Sequence, residues 1–390
     1  MKLSKLMLSA FAAALAMVAC NKVDTDPVEN TNLKSVKLSL ENVIMTKSVA
    51  ADKIEAGDPV MVENFKIILT DASYSAEYSA KTSDGLTDAT FYFDNETFAA
   101  GPKEYEFHYV DHKVTKVIAV ANMGDVTLQD IKNFSETIAN QQDPTALVLF
   151  ADATLTKTAD THTTQGTDKY TEVYAASVAL KPTISRFEVD GFVVNFSTTP
   201  KFQKVEVTDI AFDHYYPNVV FSTTDGTFKA VANGTHTKYV TDYESEADVF
   251  GWLNNSATTG WYVDRFSGTD IPTMVPDNAA TTEVFENRAD APAPLAYHFF
   301  AGDVVPTLVI KLLADGNPAY VYTSDFISKQ TGKALTGIEG GKIYRMSAAG
   351  EVDQTGGSIV IPEDLDPIER CLDITVDVED WVVELVTPEF

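Results

Sequence analysis

Along most of the chain, short runs in which every second residue is apolar alternate with turn-forming clusters of Gly, Asn, Asp and Pro. In SVKLSL (35–40), Val36, Leu38 and Leu40 alternate with polar neighbours, which predicts a strand with one buried face. Comparable runs are FKIILT (65–70), ALVLFADA (146–153), EVYAASVAL (172–180), SRFEVDGFVVNF (185–196), FQKVEVTDIAF (202–212), PAYVYTS (318–324) and KIYRMSA (342–348). Two stretches, VIAVAN within 114–125 and TLVIKLL within 306–316, are continuously apolar, as expected of strands covered on both faces. DGNPAY (315–320) reads as a hairpin turn.

One segment has helical spacing. Thr127 followed by Asp130 forms a capping pair, and Leu128, Ile131, Phe134, Ser135 and Ile138 then recur on one stripe, predicting a helix over 128–140 packed on a sheet. Pro182 interrupts the ladder in LKPTISRF (180–187), which places a domain boundary near residue 183. The chain has 390 residues, enough for two domains with their own cores.

The two ends depart from this pattern. The chain opens MKLSKLMLSAFAAALAMVAC, with Lys2 and Lys5 ahead of an apolar run from Leu6 to Val18. That run is short for a membrane span and suits the apolar region of a secretory signal. Ala19-Cys20 at its end resembles the lipobox of bacterial lipoproteins, so Cys20 is the expected lipidation site and 1–20 the signal peptide. Each acyl CH2 buried in a membrane contributes about 0.8 kcal/mol to attachment. Asp24, Asp26 and Glu29 follow as an acidic leader.

SVKLSLENVIMTK (35–47) is a strand ending in Lys47-Ser48, and the next stretch, SVAADKIEAGDPV, is small and polar like a loop open to proteases. A cut after Lys47 would release a whole strand and bare two sheet edges. Lys53 is a second basic position for such a cut. At the other end, CLDITVDVEDWVVELVTPEF is strongly apolar for a terminus. Leu372, Ile374, Val376 and Val378 share one parity, whereas Trp381, Val383 and Leu385 fall on the other, predicting two strand segments joined by a bend. About five such side chains at ~1.5–3 kcal/mol each give ~8–15 kcal/mol of gross burial in a groove before ordering costs. Strand addition between subunits uses a terminus of this kind, and head-to-tail addition grows a filament.

Composition narrows the function. Apolar residues are 45% and aromatics 11%, which excludes a disordered chain. The formal charge of −28 argues against nucleic-acid binding. Cys20 and Cys371 are the only cysteines, so no disulfide framework or zinc pattern exists. His108 and His112 have even spacing but no third ligand at a recognisable distance. No nucleophile elbow, zinc-protease motif, Walker loop or dinucleotide fingerprint occurs, so neither an enzyme nor a cofactor or metal site is expected.

Taken in order, these segments resemble fimbrillins of the FimA type, the type V pilins. The residues that carry the resemblance are ALAMVACNKVDTDPVENTN, SVKLSL with Lys47, VIAVANMGD with its Ala-Asn-x-Gly turn, LKPTISRFEV, PTLVIKLL, GIEGGKIYRMS and ITVDVEDWVV. The resemblance implies an all-β protein of two transthyretin-like Greek-key β-sandwich domains with one or few short helices. It implies a propeptide over 21–47 whose first strand (Val36, Leu38, Leu40) is removable, an N-terminal domain over 48–182 and a C-terminal domain over 183–390. The last segment, 371–390, would be the donor strand. It further implies a precursor that passes through the lipoprotein export and processing machinery and sits in the outer membrane through its lipid. A trypsin-like protease would then cut it between Lys47 and Ser48, where many such fimbrillins carry Arg, and it would polymerise in surface fimbriae that support adhesion. The expected partners are other copies of the chain together with anchor and tip proteins. The alternatives are a tip or anchor subunit that binds a host or glycan ligand, or a glycan-binding surface lipoprotein unrelated to pili, for which Trp252 and Trp261 would supply aromatic platforms. Removal of 1–47 takes six lysines and four acidic residues from 29 basic and 57 acidic groups, leaving 23 and 53 and a charge of −30. A filament of that charge is well solvated and resists bundling at low salt.

Overall fold

A computed structural model describes residues 33–41, 43–47, 60–94, 104–137, 147–159, 163–165, 168–170, 172–189, 191–194, 196–224, 226–230, 239–255, 263–276, 281–284, 295–346, 359–361, 371–380 and 383–387. Cys20, Ser48, Lys53, Trp261 and Trp381 lie outside these residues. The fold is all-β, with two short α-helices among the described residues.

The first half holds β1 (Leu33–Glu41), β2 (Val43–Lys47), β3 (Val60–Val62), β4 (Asn64–Thr70), β5 (Glu104–Asp111), β6 (Lys116–Ala121), β7 (Leu149–Thr154), β8 (Thr156–Ala159) and β9 (Val173–Ala179), and all of these but β2 and β3 supply two facing sheets. One has the order β8-β9-β1-β5. The other runs from the short strand Lys181–Pro182 through β7, β6 and β4 to Glu77–Tyr78. Alternation sets what fills the space between them. Val36, Leu38 and Leu40 of β1, Phe107 of β5 and Val178 of β9 meet Phe65, Ile67 and Leu69 of β4, Val117 and Ala119 of β6 and Leu149 of β7 in one core.

The continuously apolar β6 has two faces to bury. Val117, Ala119 and Ala121 enter that core, whereas Ile118 and Val120 join Ile68, Phe150, Leu128, Ile131 and Phe221 in a second cluster on the outer face. The cover is helix α1 (Leu128–Lys132), where Thr127 and Asp130 close the expected capping box. The helix is shorter than the predicted 128–140. Asn133 caps it, and Ser135–Thr137 instead pairs antiparallel with a strand from the second half, so tertiary pairing overrides the periodic stripe. Phe134, which fits the helical period, packs edge-on against Phe228 at 5.1 Å.

The second half holds β10 (Ile184–Val189), β11 (Val205–Asp213), β12 (Asn218–Ser222), β13 (Thr227–Ala230), α2 (Glu246–Asn255), β14 (Leu295–Phe300), β15 (Thr307–Ala314), β16 (Asn317–Ser328), β17 (Lys342–Met346), β18 (Cys371–Asp380) and β19 (Val383–Thr387). Its main sheet has the order Val263–Arg265, then β11-β15-β16-β18-β17-β10-β14. Phe187 of β10 and Phe299 of β14, near one end of that order, meet Phe212 of β11 near the other at 5.9 and 5.1 Å. The sheet therefore closes over its own core as a sandwich. The apolar β15 is covered twice, like β6. Leu308, Ile310 and Leu312 face the core, and Val309 packs under Val249 and Leu253 of α2. Helix α2 is absent from the sequence expectations.

Two turns behave as their residues dictate. Asp315 and Gly316 both have positive φ (50° and 81°) and close a two-residue hairpin between Ala314 and Asn317. Asn122, at φ 61° in the Ala-Asn-x-Gly turn, donates from Nδ2 to the Leu147 carbonyl at 2.9 Å and accepts from the Glu63 amide at 2.9 Å.

Candidate functional site

The leader strand β1 is an inner strand. It runs parallel to β9, in register from Ser35↔Val173 to Glu41↔Ala179, and antiparallel to β5, with Leu38 opposite Tyr105. Val36, Leu38 and Leu40 are 0%, 1% and 4% exposed, so the expected removable face is a full part of the core. Three such side chains contribute roughly 5–9 kcal/mol of gross burial. Taking β1 out would leave the facing edges of β5 and β9 unpaired over a slot lined by their apolar side chains.

The polar residues of β1 are also specified. Ser35 Oγ donates to the Phe107 carbonyl at 3.3 Å and lies 3.5 Å from His108 Nδ1. Lys37 Nζ is 3.6 Å from Glu106 Oε1 in a largely solvated pair. His108 is 4% exposed, and burial pulls its pKa below the usual value, with Glu106 opposing and Lys37 adding to that pull. Lys34 is 1% exposed, and its ammonium donates to the Val114 carbonyl and, at 3.4 Å, to the His112 carbonyl. Sequence reasoning passed over Lys34, yet its position carries the signal: it shares the even parity of Val36, Leu38 and Leu40.

Lys47 is the last residue of β2. β2 pairs in parallel with β19, Lys47 opposite Thr387, and β19 pairs in parallel with β3 on its other side. The C-terminal stretch divides as its parity shift predicts, into β18 and β19. β18 lies in its own half, between β16 (parallel) and β17 (antiparallel), with Ile374 2% and Val376 0% exposed. Leu372 and Val378 belong to β18, and Val383 and Leu385 to β19. The proposed removable and donor residues are thus not in one place: Val36, Leu38 and Leu40 fill the first core, and Ile374 and Val376 fill the second half.

Elsewhere, charged and polar groups pair with one another inside the fold. Arg186 and Arg345 clamp Glu188 from two sides, each at 2.7 Å, inside the second half. Lys116 Nζ and Tyr74 Oη both reach Asp152 Oδ2, at 2.6 and 2.7 Å, beside a cavity of about 500 Å³ lined by Phe150, Thr183, Gly226 and Phe228. Gly226 is required there: at φ 66° a Cβ would stand 1.6 Å from Tyr74 Oη. Trp252 stacks on Tyr239 at 5.5 Å and packs against the cluster under α2. Among the described residues no group of three or more His, Cys, Asp or Glu could hold a metal ion, and no helix is long and apolar enough to cross a membrane.

No protein-family model matches the chain, and no curated protein matches it in sequence. Solved structures do align with it. A fimbrilin (FimA) from Porphyromonas gingivalis W83 aligns at 12% identity and TM-score 0.47, over 90% of this chain and 99% of its own. A protein described as a cell adhesion protein from Bacteroides eggerthii DSM 20697 aligns at 13% identity and TM-score 0.42, over 92% and 99%. The tip fimbrial protein Mfa3 from Porphyromonas gingivalis, with a C-terminal truncation, aligns at 10% identity and TM-score 0.34, over 81% and 94%.

Proposed function

We propose that the chain is a structural subunit of a surface fimbrium that assembles by exchange of β-strands between neighbours and supports adhesion. In this reading the precursor is exported as an outer-membrane lipoprotein acylated at Cys20. A trypsin-like protease cuts between Lys47 and Ser48, and β1 leaves its slot between β5 and β9. The C-terminal segment 371–390 of a neighbouring subunit then fills the slot, with Leu372, Ile374, Val376, Val378, Trp381, Val383 and Leu385 as the donor side chains. The domains divide at residue 183, the propeptide is 21–47, and anchor and tip subunits end the filament.

The observation that carries this reading is the place of β1. A strand that begins the described chain, ahead of a protease-prone segment, supplies three core residues and satisfies two sheet edges. Few strands are so separable by one cut and so costly to lose unreplaced. β18 is held in its own sheet, so donation requires it to exchange one pair of edges for another, and the monomer is closed at both ends until the cut is made.

The test is the N-terminal residue of the surface-assembled protein, read by mass spectrometry. A start at Ser48 is the expected result. A start at acylated Cys20 means that β1 stays in place, and the stalk-subunit reading fails.

A further inference from the structure

The cavity of about 500 Å³ beside Asp152 falls within the ~300–1,000 Å³ of small-molecule sites. Its wall is drawn from three segments: Phe150 and Asp152 of β7, Lys181 and Thr183 where the chain passes from the first half to the second, and Gly226 and Phe228 at the start of β13. The backbone ties these segments together. Lys181 pairs with Phe150 and Pro182 with Leu149, and the Thr183 amide donates to the Val148 carbonyl at 3.0 Å. Gly226, with no side chain, lets the β12–β13 turn close onto Tyr74 and Asp152.

Two residues of this wall carry buried polar atoms with no hydrogen-bond partner in the protein, Asp152 Oδ1 and Thr183 Oγ1. Such atoms are costly to leave unpaired, and a bound group that pairs them recovers that cost. A carboxylate oxygen only accepts and a hydroxyl can do either, so the wall calls for a ligand that brings hydrogen donors. Asp152 Oδ2 already takes Lys116 Nζ at 2.6 Å and Tyr74 Oη at 2.7 Å, so the carboxylate charge is matched before any ligand arrives. Lys181, exposed on the same wall, adds a positive charge that opposes a cation, and Asp152 Oδ1 opposes an anion. The rings of Phe150 and Phe228, edge to face at 4.9 Å, supply an apolar surface. A neutral molecule with several hydroxyl groups and a C–H face answers all of these demands, and a sugar ring has that chemistry.

We propose that this cavity binds a neutral saccharide, as a free sugar or as the end of a glycan chain. Its hydroxyl groups donate to Asp152 Oδ1 and Thr183 Oγ1, Lys181 donates to one of its oxygens, and its C–H face packs on Phe150 and Phe228. No residue lining the cavity belongs to β1 or to segment 371–390, so the site stands whether or not strands are exchanged.

The experiment uses the uncut full chain. Saturation-transfer NMR and thermal unfolding are run against neutral mono- and disaccharides at millimolar concentration, each offered free and as its methyl glycoside. Saturation of ring C–H protons and a raised melting temperature are expected. Binding of both forms marks a glycan end, and binding of the free form alone marks a soluble sugar. Thr183→Val keeps nearly the same shape and removes a hydroxyl that has no partner. The sugar-free variant should therefore melt unchanged or slightly higher, while its affinity falls about five- to ten-fold. Lys181→Met, at an exposed position, should lose about two- to three-fold, and it decides the matter alone if Thr183→Val does not fold. Binding by none of these sugars overturns the site. Binding that the folded variants keep in full places the sugar elsewhere, for instance on the Trp252–Tyr239 stack, and also overturns it. Neither result bears on the N-terminal residue of the assembled protein, so the assembly reading is judged separately.

Discussion

β1 and β18, the strands near the two ends of the chain, occupy matching positions in their halves. Each is an inner strand with one parallel and one antiparallel neighbour: β9 and β5 for β1, β16 and β17 for β18. Each buries apolar side chains in its core, Val36, Leu38 and Leu40 in one case and Ile374 and Val376 in the other. They differ in charge. β1 brings Lys34 and Lys37 against Glu41, whereas β18 brings Asp373, Asp377, Glu379 and Asp380 with no base. The two strands therefore match in their pairing and differ in their charge.

The largest effect expected from breaking this parity is truncation after Arg370. It removes β18, and the loss of Ile374 and Val376 alone is worth roughly 3–6 kcal/mol, before the two lost ladders. Thermal unfolding should lose the cooperative transition of the second half. Failure of that truncation to polymerise would not separate loss of a donor from loss of fold. Truncation after Asp380, which spares β18 and removes only β19, should keep both transitions and is the cleaner assembly test. An unchanged melt after the longer truncation would show that β18 is dispensable, unlike β1.

A smaller and sharper comparison uses Leu38→Ala and Ile374→Ala. In the uncut chain each should cost about 2–5 kcal/mol in urea unfolding. After removal of residues 1–47 the Leu38→Ala penalty should vanish, and the Ile374→Ala penalty should remain. A Leu38→Ala effect that survives processing means that the leader stays bound after the cut.

Much of this was legible in the residues. Parity marked the buried faces of β1 and β18 and the shift that separates β18 from β19, because side chains alternate across a strand whatever it pairs with. Continuous apolar character marked β6 and β15 as covered twice, but not by what. Helix α2 was missed because Val249, Phe250, Trp252 and Leu253 sit in a segment rich in Asn, Thr and Gly, whose propensity favours a loop. The end of α1 was misplaced because Phe134 fits the helical period while packing against Phe228, a partner about ninety residues distant that no local pattern reveals. Lys34 was passed over, since nothing local shows that its ammonium meets the carbonyls of a turn 78 to 80 residues away.

The smallest effect concerns acid. His108 lies on β5, beside Ser35 of β1, and its burial lowers its pKa below the unfolded value of 6.5. Between the folded and unfolded values the unfolded chain binds more protons, so stability rises with pH in that window and is lost as pH falls below about 6.5. Glu106 softens the effect and Lys37 deepens it. No histidine lies in β16, β17 or β18. Amide exchange at β1, corrected for intrinsic rates, should therefore rise a few-fold between pH 7.5 and pH 5, while exchange at β18 stays constant. His108→Gln should remove the difference, because the amide cannot titrate. If both strands loosen together in acid, the response belongs to the carboxylates of the whole molecule, and the leader strand has no pH sensitivity of its own.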